Sequence, residues 1–245
     1  MKAIFEVADE NGEEGGWELE DLELPPELDT PNSYLPELKE KLNAGYKATT
    51  TGKLTKALRI FHSILHTIPL VLVESRKEEV NEIKKLIIIV KEYVLGLQME
   101  LKRREIKDDD TTRQQELAAY FTHCNLQTPH LRLALLSAMS VCYKANNLAT
   151  ASSFATRFLE TNPTVESHVK AASKVIHAAE CNMTDETKLK YDFRNPFVIC
   201  GATYVPIYMG EKYVSCPYCT ARFVPSQEGN ICTVCDLEVI GADAS

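Results

Sequence analysis

Tyr46-Lys-Ala-Thr-Thr-Thr-Gly-Lys-Leu54 returns in shortened form as Tyr143-Lys-Ala-Asn-Asn-Leu148. After these turns Leu54, Ala57, Ile60, Leu65 and Pro69 match Leu148, Ala151, Phe154, Leu159 and Pro163 at a constant offset of 94 residues. Apolar residues stepping by three and four mark one face of a helix. Small Ala57 and Ala151 let two helices approach closely, and the aromatic ahead of each turn is placed to pack across the pair. That is the logic of a tetratricopeptide-type helix pair. Two copies are fewer than a self-sufficient array needs, and the long helical pattern between them departs from the period. The expected fold is mostly α: an irregular TPR-like α-solenoid domain over residues 31–192.

Outward from these turns, the same spacing predicts further helices. Leu35, Leu38, Leu42 and Tyr46 form one stripe, and a long pattern from Glu74 to Ile106 ends at Asp108-Asp-Asp110. Gln114 to Cys124 follows, with Thr111 or Thr112 as its cap, then His130 to Lys144, Leu148 to Glu160 and Val165 to Cys181. After Tyr191 the texture changes to β-branched and aromatic residues. Tyr204 to Tyr208, the Met209-Gly210-Glu211 turn and Tyr213-Val214 read as a β-hairpin. This opens a small β-rich, zinc-ribbon-like module over 193–245.

Within that module lie Cys216-Pro-Tyr-Cys219 and Cys232-Thr-Val-Cys235, two CxxC knuckles twelve residues apart. Each knuckle can offer two thiolates to one cation, and tetrahedral Zn²⁺ takes four such ligands at about 2.3 Å. Ala221 to Val224 reads as a short strand and Pro225 to Asn230 as a turn that folds one pair onto the other. The alternative is two disulfides or four free thiols. Disulfides belong to oxidising compartments, whereas Cys124, Cys142, Cys181 and Cys200 are scattered singly, as in reduced intracellular proteins. Four protein ligands close the site, so the expected Zn²⁺ at Cys216, Cys219, Cys232 and Cys235 is structural. It supplies folding free energy that a module of about fifty residues lacks.

Residues 1–30 read as an acidic extended tail without regular structure of its own. Residues 1–29 hold eleven acids and one lysine, a balance of −10 against the chain's net −8, so the remainder is nearly neutral. The tail contains the chain's one tryptophan, in Trp17-Glu-Leu-Glu-Asp-Leu22. It either packs on its own domain or docks in a partner groove with Trp17 and Leu22 as anchors. There is no apolar run near the roughly 18 residues of a membrane span and no signal-peptide pattern. No basic footprint for nucleic acid stands out.

Catalytic chemistry is not evident. His62 and His66 share a helix face, but the position where a helical zinc protease needs Glu is Ser63. They read as packing histidines. His123-Cys124 is no catalytic pair, because adjacent helical residues diverge by about 100°. No phosphate-binding glycine loop or nucleophile elbow is present, so the chain reads as a protein-binding scaffold and not an enzyme. A zinc-ribbon nucleic-acid module is the alternative. The knuckles, however, carry only Lys212 and Arg222 against Glu211, Glu228, Asp236 and Glu238. A ubiquitin-ligase cross-brace would need a second ligand set that is not spaced for it.

Several long, irregular segments carry a resemblance. They are Gly15-Gly-Trp-Glu-Leu-Glu-Asp-Leu-Glu-Leu-Pro25, Ala48-Thr-Thr-Thr-Gly-Lys53 with Phe61-His-Ser-Ile-Leu65, Ala118-Ala-Tyr-Phe-Thr-His-Cys-Asn-Leu-Gln127, and Asn195-Pro-Phe-Val-Ile-Cys200 with Tyr204-Val-Pro-Ile-Tyr208. Across essentially the whole chain these resemble the C-terminal region of the alpha subunit of coatomer, the COPI vesicle coat. The four-cysteine ending resembles plant-type members in particular, which implies that zinc is a lineage feature. The resemblance implies a cytoplasmic coat component, peripheral on Golgi membranes and COPI vesicles, in Golgi-to-ER and intra-Golgi transport. It implies binding to the TPR-like epsilon subunit, and contact with other coatomer subunits through parts outside this chain. Neither dilysine cargo binding nor membrane insertion is expected of this region. The expected anchors for the partner are Tyr204, Ile207, Tyr208 and Tyr213, with Trp17 and Leu22 secondary.

Overall fold

The computed structural model describes residues 3–5, 18–20, 35–70, 77–106 and 110–242. The chain divides into two units, Met1–Tyr34 and Leu35–Ser245. In the first, β1 (Ala3–Phe5) and β2 (Glu18–Glu20) pair antiparallel with Ala3 opposite Glu20. This corrects the expectation of a tail without regular structure. Glu18-Leu-Glu20 has the polar–apolar alternation of a strand, which its acidity obscured. Trp17 and Leu22 lie outside the described residues.

Among the described residues the second unit is mostly helical, with seven helices and a few small strands. The helices are α1 (Leu35–Thr50), α2 (Leu54–Thr67), α3 (Lys77–Glu105), α4 (Thr111–Phe121), α5 (Thr128–Lys144), α6 (Leu148–Glu160) and α7 (Glu166–Cys181). Each packs chiefly on its neighbours in sequence. The backbone of α1 meets α2 at Gly45, where a Cβ would lie 2.7 Å from the Phe61 ring. Fully buried Phe61 then packs at a tilt against Tyr93 of α3, with ring centroids 4.8 Å apart.

The turns α1–α2 and α5–α6 are the same structure. In one, Gly52 at φ 72° follows the helix; its N–H donates to Thr49 O and that of Lys53 to Ala48 O. In the other, Asn146 at φ 56° does so, with N–H groups of Asn146 and Asn147 donating to Tyr143 O and Cys142 O. Both are Schellman caps, which need a left-handed residue that Gly and Asn supply with least strain. Gly52 and Asn146 are 94 apart, the offset that the leucines and alanines gave. The tyrosines are not equivalent, however. Tyr46 is half-buried against Phe61 and Tyr93, whereas Tyr143 is 44% exposed. Matching the caps pairs Tyr46 with exposed Ser140, so Tyr143 lies three residues on, nearer its cap and on the same exposed face.

A continuous proton chain ties α1, α3 and α5 together. Gln127 N–H donates to the Tyr93 hydroxyl, which donates to His130 Nδ1 at 2.6 Å. His130 Nε2–H donates to Thr50 Oγ1 at 2.9 Å, and that hydroxyl donates to Tyr46 O. Each member has one donor role, which fixes His130 as the neutral Nε2–H tautomer. Burial lowers its pKa in the same sense. The helix α4 is capped by Asp110, whose carboxylate accepts from Arg113 N–H at 3.0 Å, and not by Thr111 or Thr112. Aspartate is at least as good an N-cap as threonine, and its position one residue earlier lets the helix begin at Thr111.

The C-terminal strands correct the expected hairpin. Strand β3 (Phe197–Ile199) pairs with β4 (Pro206–Tyr208), and β5 (Val214–Ser215) with β6 (Arg222–Phe223), both antiparallel. Reversal takes place at Gly201–Tyr204, where Tyr204 N–H donates to Cys200 O and Tyr204 has φ 51°. The Met209–Glu211 segment does turn, but it closes on itself: Tyr208 N–H donates to the Glu211 carboxylate at 2.7 Å. Val214 is drawn instead to β6, because the knuckle between them reverses the chain.

Candidate functional site

The four CxxC cysteines converge. Their sulfurs lie within 4.8 Å of one another, with Cys216–Cys235 at 3.7 Å and Cys219–Cys232 at 3.6 Å. Four sulfurs about 2.3 Å from a central zinc would form a tetrahedron with edges of about 3.8 Å, whereas a disulfide is about 2.05 Å. The group therefore fits one tetrahedral metal ion and not two disulfides. All four are at most 1% exposed, so the site is closed.

Each knuckle reaches this geometry in the same way. Cys216 N–H donates to Ala221 O and Thr220 N–H returns to Cys216 O. Cys232 N–H donates to Glu238 O and Asp236 N–H returns to Cys232 O. Thr220 and Asp236, each following the second cysteine, take positive φ of 61° and 57°. Four thiolates within 4.8 Å of one another repel, which opposes ionising all four sulfurs together. A divalent cation removes that conflict by stabilising every thiolate.

Helices α2 and α3 hold the knuckles from outside. His66 Nε2–H donates to Cys235 O at 2.8 Å, the Tyr218 hydroxyl to Leu65 O at 2.7 Å, and Gln98 Nε2 to Thr233 O at 2.9 Å. Thr233 in turn donates to Gly201 O, tying the second knuckle to the β3–β4 turn. The apolar core is continuous here: Phe61, Ile64 and Leu97 belong to the same cluster as Phe223, Val234 and Ile240. Sequence reading saw His62 and His66 on one face but missed their role. They stack at 6.0 Å, and the partner of His66 is 169 residues away. The tyrosine inside the first knuckle was the available signal for Tyr218, since a buried ring needs a hydroxyl partner.

The candidate anchors separate by exposure. Ile207 is 3% exposed and packs in this chain's own core. Tyr204 is half-buried, with its carbonyl accepting from Arg113. The Tyr208 hydroxyl accepts from Asp192 N–H, leaving the ring partly open. Tyr213 is 48% exposed beneath the Arg222 guanidinium at 4.7 Å. Nearby Met209 at 76% and Phe193 at 54% were not singled out from sequence. His123 and Cys124 do not form a pair: His123 meets the Tyr191 hydroxyl at 2.7 Å, and burial pushes the Cys124 thiol well up.

Comparison with known proteins agrees with the segments quoted above. Coatomer subunit alpha-1 of Arabidopsis thaliana is 79% identical over 209 residues, covering 85% of this chain and 17% of that protein. Coatomer subunit alpha of Dictyostelium discoideum is 48% identical over 210 residues, and that of Saccharomyces cerevisiae 36% over 231, covering 83% and 92% of this chain. The chain thus spans about a sixth of the length of the curated relatives it matches. The family described as the C-terminus of the Coatomer (COPI) alpha subunit matches residues 32–245. The chain belongs to that family.

Proposed function

We propose that this region is an assembly end of a COPI coat subunit, and that it holds the epsilon subunit of coatomer in the coat. The family match over residues 32–245, which takes in the whole compact helical unit, carries the reading. The two helix pairs with equivalent caps support an irregular TPR-like array, suited to packing against another helical protein. Tyr208 and Tyr213, extended by Met209 and Phe193, are the proposed contact surface. Ile207 and Tyr204 support it from beneath, and Trp17 and Leu22 remain a proposed docking segment. The cation at Cys216, Cys219, Cys232 and Cys235 is Zn²⁺ in this reading, and it shapes the module that presents the surface. A closed four-thiolate site leaves no coordination position for substrate, so the role is scaffolding and not catalysis. Contacts with other coatomer subunits, and residence on Golgi membranes and COPI vesicles, belong to this proposal, and membership of the coatomer alpha family supports them. Among the described residues no helix is long and apolar enough to cross a membrane.

The test is light scattering on a gel-filtered mixture of this chain with recombinant epsilon subunit, beside each alone. A co-eluting complex at submicromolar concentration is expected. Two unshifted peaks from well-folded proteins would refute the assignment. Tyr213→Ala is expected to weaken the complex by more than about 1 kcal/mol, as for an aromatic anchor.

A further inference from the structure

The register of β3 leaves backbone groups without partners. Cys200 N–H donates to Val205 O and Met209 N–H to Pro196 O, so the bonding positions of β3 toward β4 are Pro196, Val198 and Cys200. Antiparallel bonding alternates, and the N–H and C=O groups of Phe197 and Ile199 therefore point away from β4. Among the described residues no hydrogen bond reaches them on that side. Strand β6 packs near the end of β3, but the backbone hydrogen bond between the two segments lies past the strand, where Gly201 N–H donates to Arg222 O at 2.9 Å. Before that point the chains splay, and the gap is a cleft of about 450 Å³ lined by Lys91, Leu95, His123, Tyr213 and Arg222, among others. That volume falls within the range of about 300–1,000 Å³ typical of ligand sites.

We propose that the free edge of β3 receives an extended, acidic segment of a partner protein, which adds as a third strand. An unpaired strand edge is a template for main-chain pairing. The charge of the cleft selects the chemistry of the strand. Its one acid, Glu92, is engaged by Lys91 at 3.0 Å and by Asn125 N–H. Arg222 has the Tyr213 ring beneath it, and among the described residues no carboxylate pairs with it. His123, at 3.4 Å from the Arg157 guanidinium, is neutral at physiological pH, its pKa pushed down to about 4 by burial and by that arginine. Carboxylates on the incoming strand complement Arg222, and its alternate residues face the apolar floor at Leu95. The inference goes beyond the epsilon assignment and does not depend on it.

The test uses three labelled hexapeptides: alternating Val-Glu, alternating Val-Lys, and the Val-Glu peptide N-methylated at every residue, which blocks the donors of both edges. Fluorescence anisotropy with the whole chain is expected to show saturable binding of Val-Glu only. Hydrogen exchange should then slow at Phe197 and Ile199. Arg222→Ala is expected to weaken binding about threefold, the scale of an exposed ion pair. Binding of the N-methylated peptide as tight as that of unmodified Val-Glu would overturn strand addition. Tighter binding of Val-Lys would overturn the charge argument, and no saturation by any peptide at millimolar concentration would overturn both.

Discussion

The helices and the cysteine module differ in what holds them together. The helices bury large side chains against sequence neighbours, such as Phe61 on Gly45 and Phe121 on Gly96, with contacts that propagate from one helix to the next. The module has strands of two or three residues and few buried apolar side chains, Phe223, Val234 and Ile240 among them. Its order rests on the face of α2 and α3 and, in the proposed reading, on a cation held among four sulfurs. A helical layer can therefore form from local pattern, whereas the module leans on a neighbour and on the proposed cation.

The most severe way to break this contrast is to remove the proposed metal. Cys232→Ser, or a strong chelator, removes a binding free energy on the order of 10 kcal/mol. Amide protection across the module is expected to collapse while far-UV circular dichroism keeps most of the helical signal. Concerted loss of both would make the two regions one cooperative unit. Next in size is the helical core. Phe61→Ala should cost about 3–5 kcal/mol in urea unfolding, because the fully buried ring fills the junction of α1, α2 and α3.

Overpacking compares the regions on equal terms. At Gly201 a Cβ would stand 2.7 Å from the Phe223 ring and 2.9 Å from Val234, so Gly201→Ala should lower module stability by about 1–3 kcal/mol. A shift of the same size in helix unfolding would show that the shared core couples the two. Tyr218→Phe deletes the single hydroxyl bond to Leu65 O and should cost about 1 kcal/mol, seen as faster exchange in the module.

The smallest effect concerns pH. Burial lowers the pKa of His130 below its ordinary value near 6.5, so folding favours the neutral ring. Its stabilisation is complete above the unfolded value and declines as pH falls below it, since only the unfolded chain then takes up the proton. Protonation would also set Nδ1–H against the Tyr93 hydroxyl proton. Urea midpoints should fall modestly between about pH 7.5 and 5.5, and a flat profile would remove His130 from the network.

Much of this was legible in the residues. Leu54, Ala57 and Leu65 announced a buried helix face because their spacing repeats within a few turns. The knuckles announced a four-sulfur site because CxxC spacing is local. The strand pairing was not legible. Val214 could pair with Tyr208 or with Phe223, and strands this short carry too few side chains to bias the register. The tyrosine equivalence failed for a related reason: a shared Tyr-Lys-Ala triplet outweighed, by eye, the position of the cap.

The sequence by itself determined which segments are helical, where two of their turns repeat, and which four cysteines converge, because each depends on intervals of a few residues. Tertiary structure alone decided that β4 returns to β3, that His66 and Tyr218 fasten the knuckles to α2, and that the edge of β3 stays open. The fastening rests on contacts between residues more than a hundred positions apart. No local period encodes such outcomes, and only the packed chain selects them.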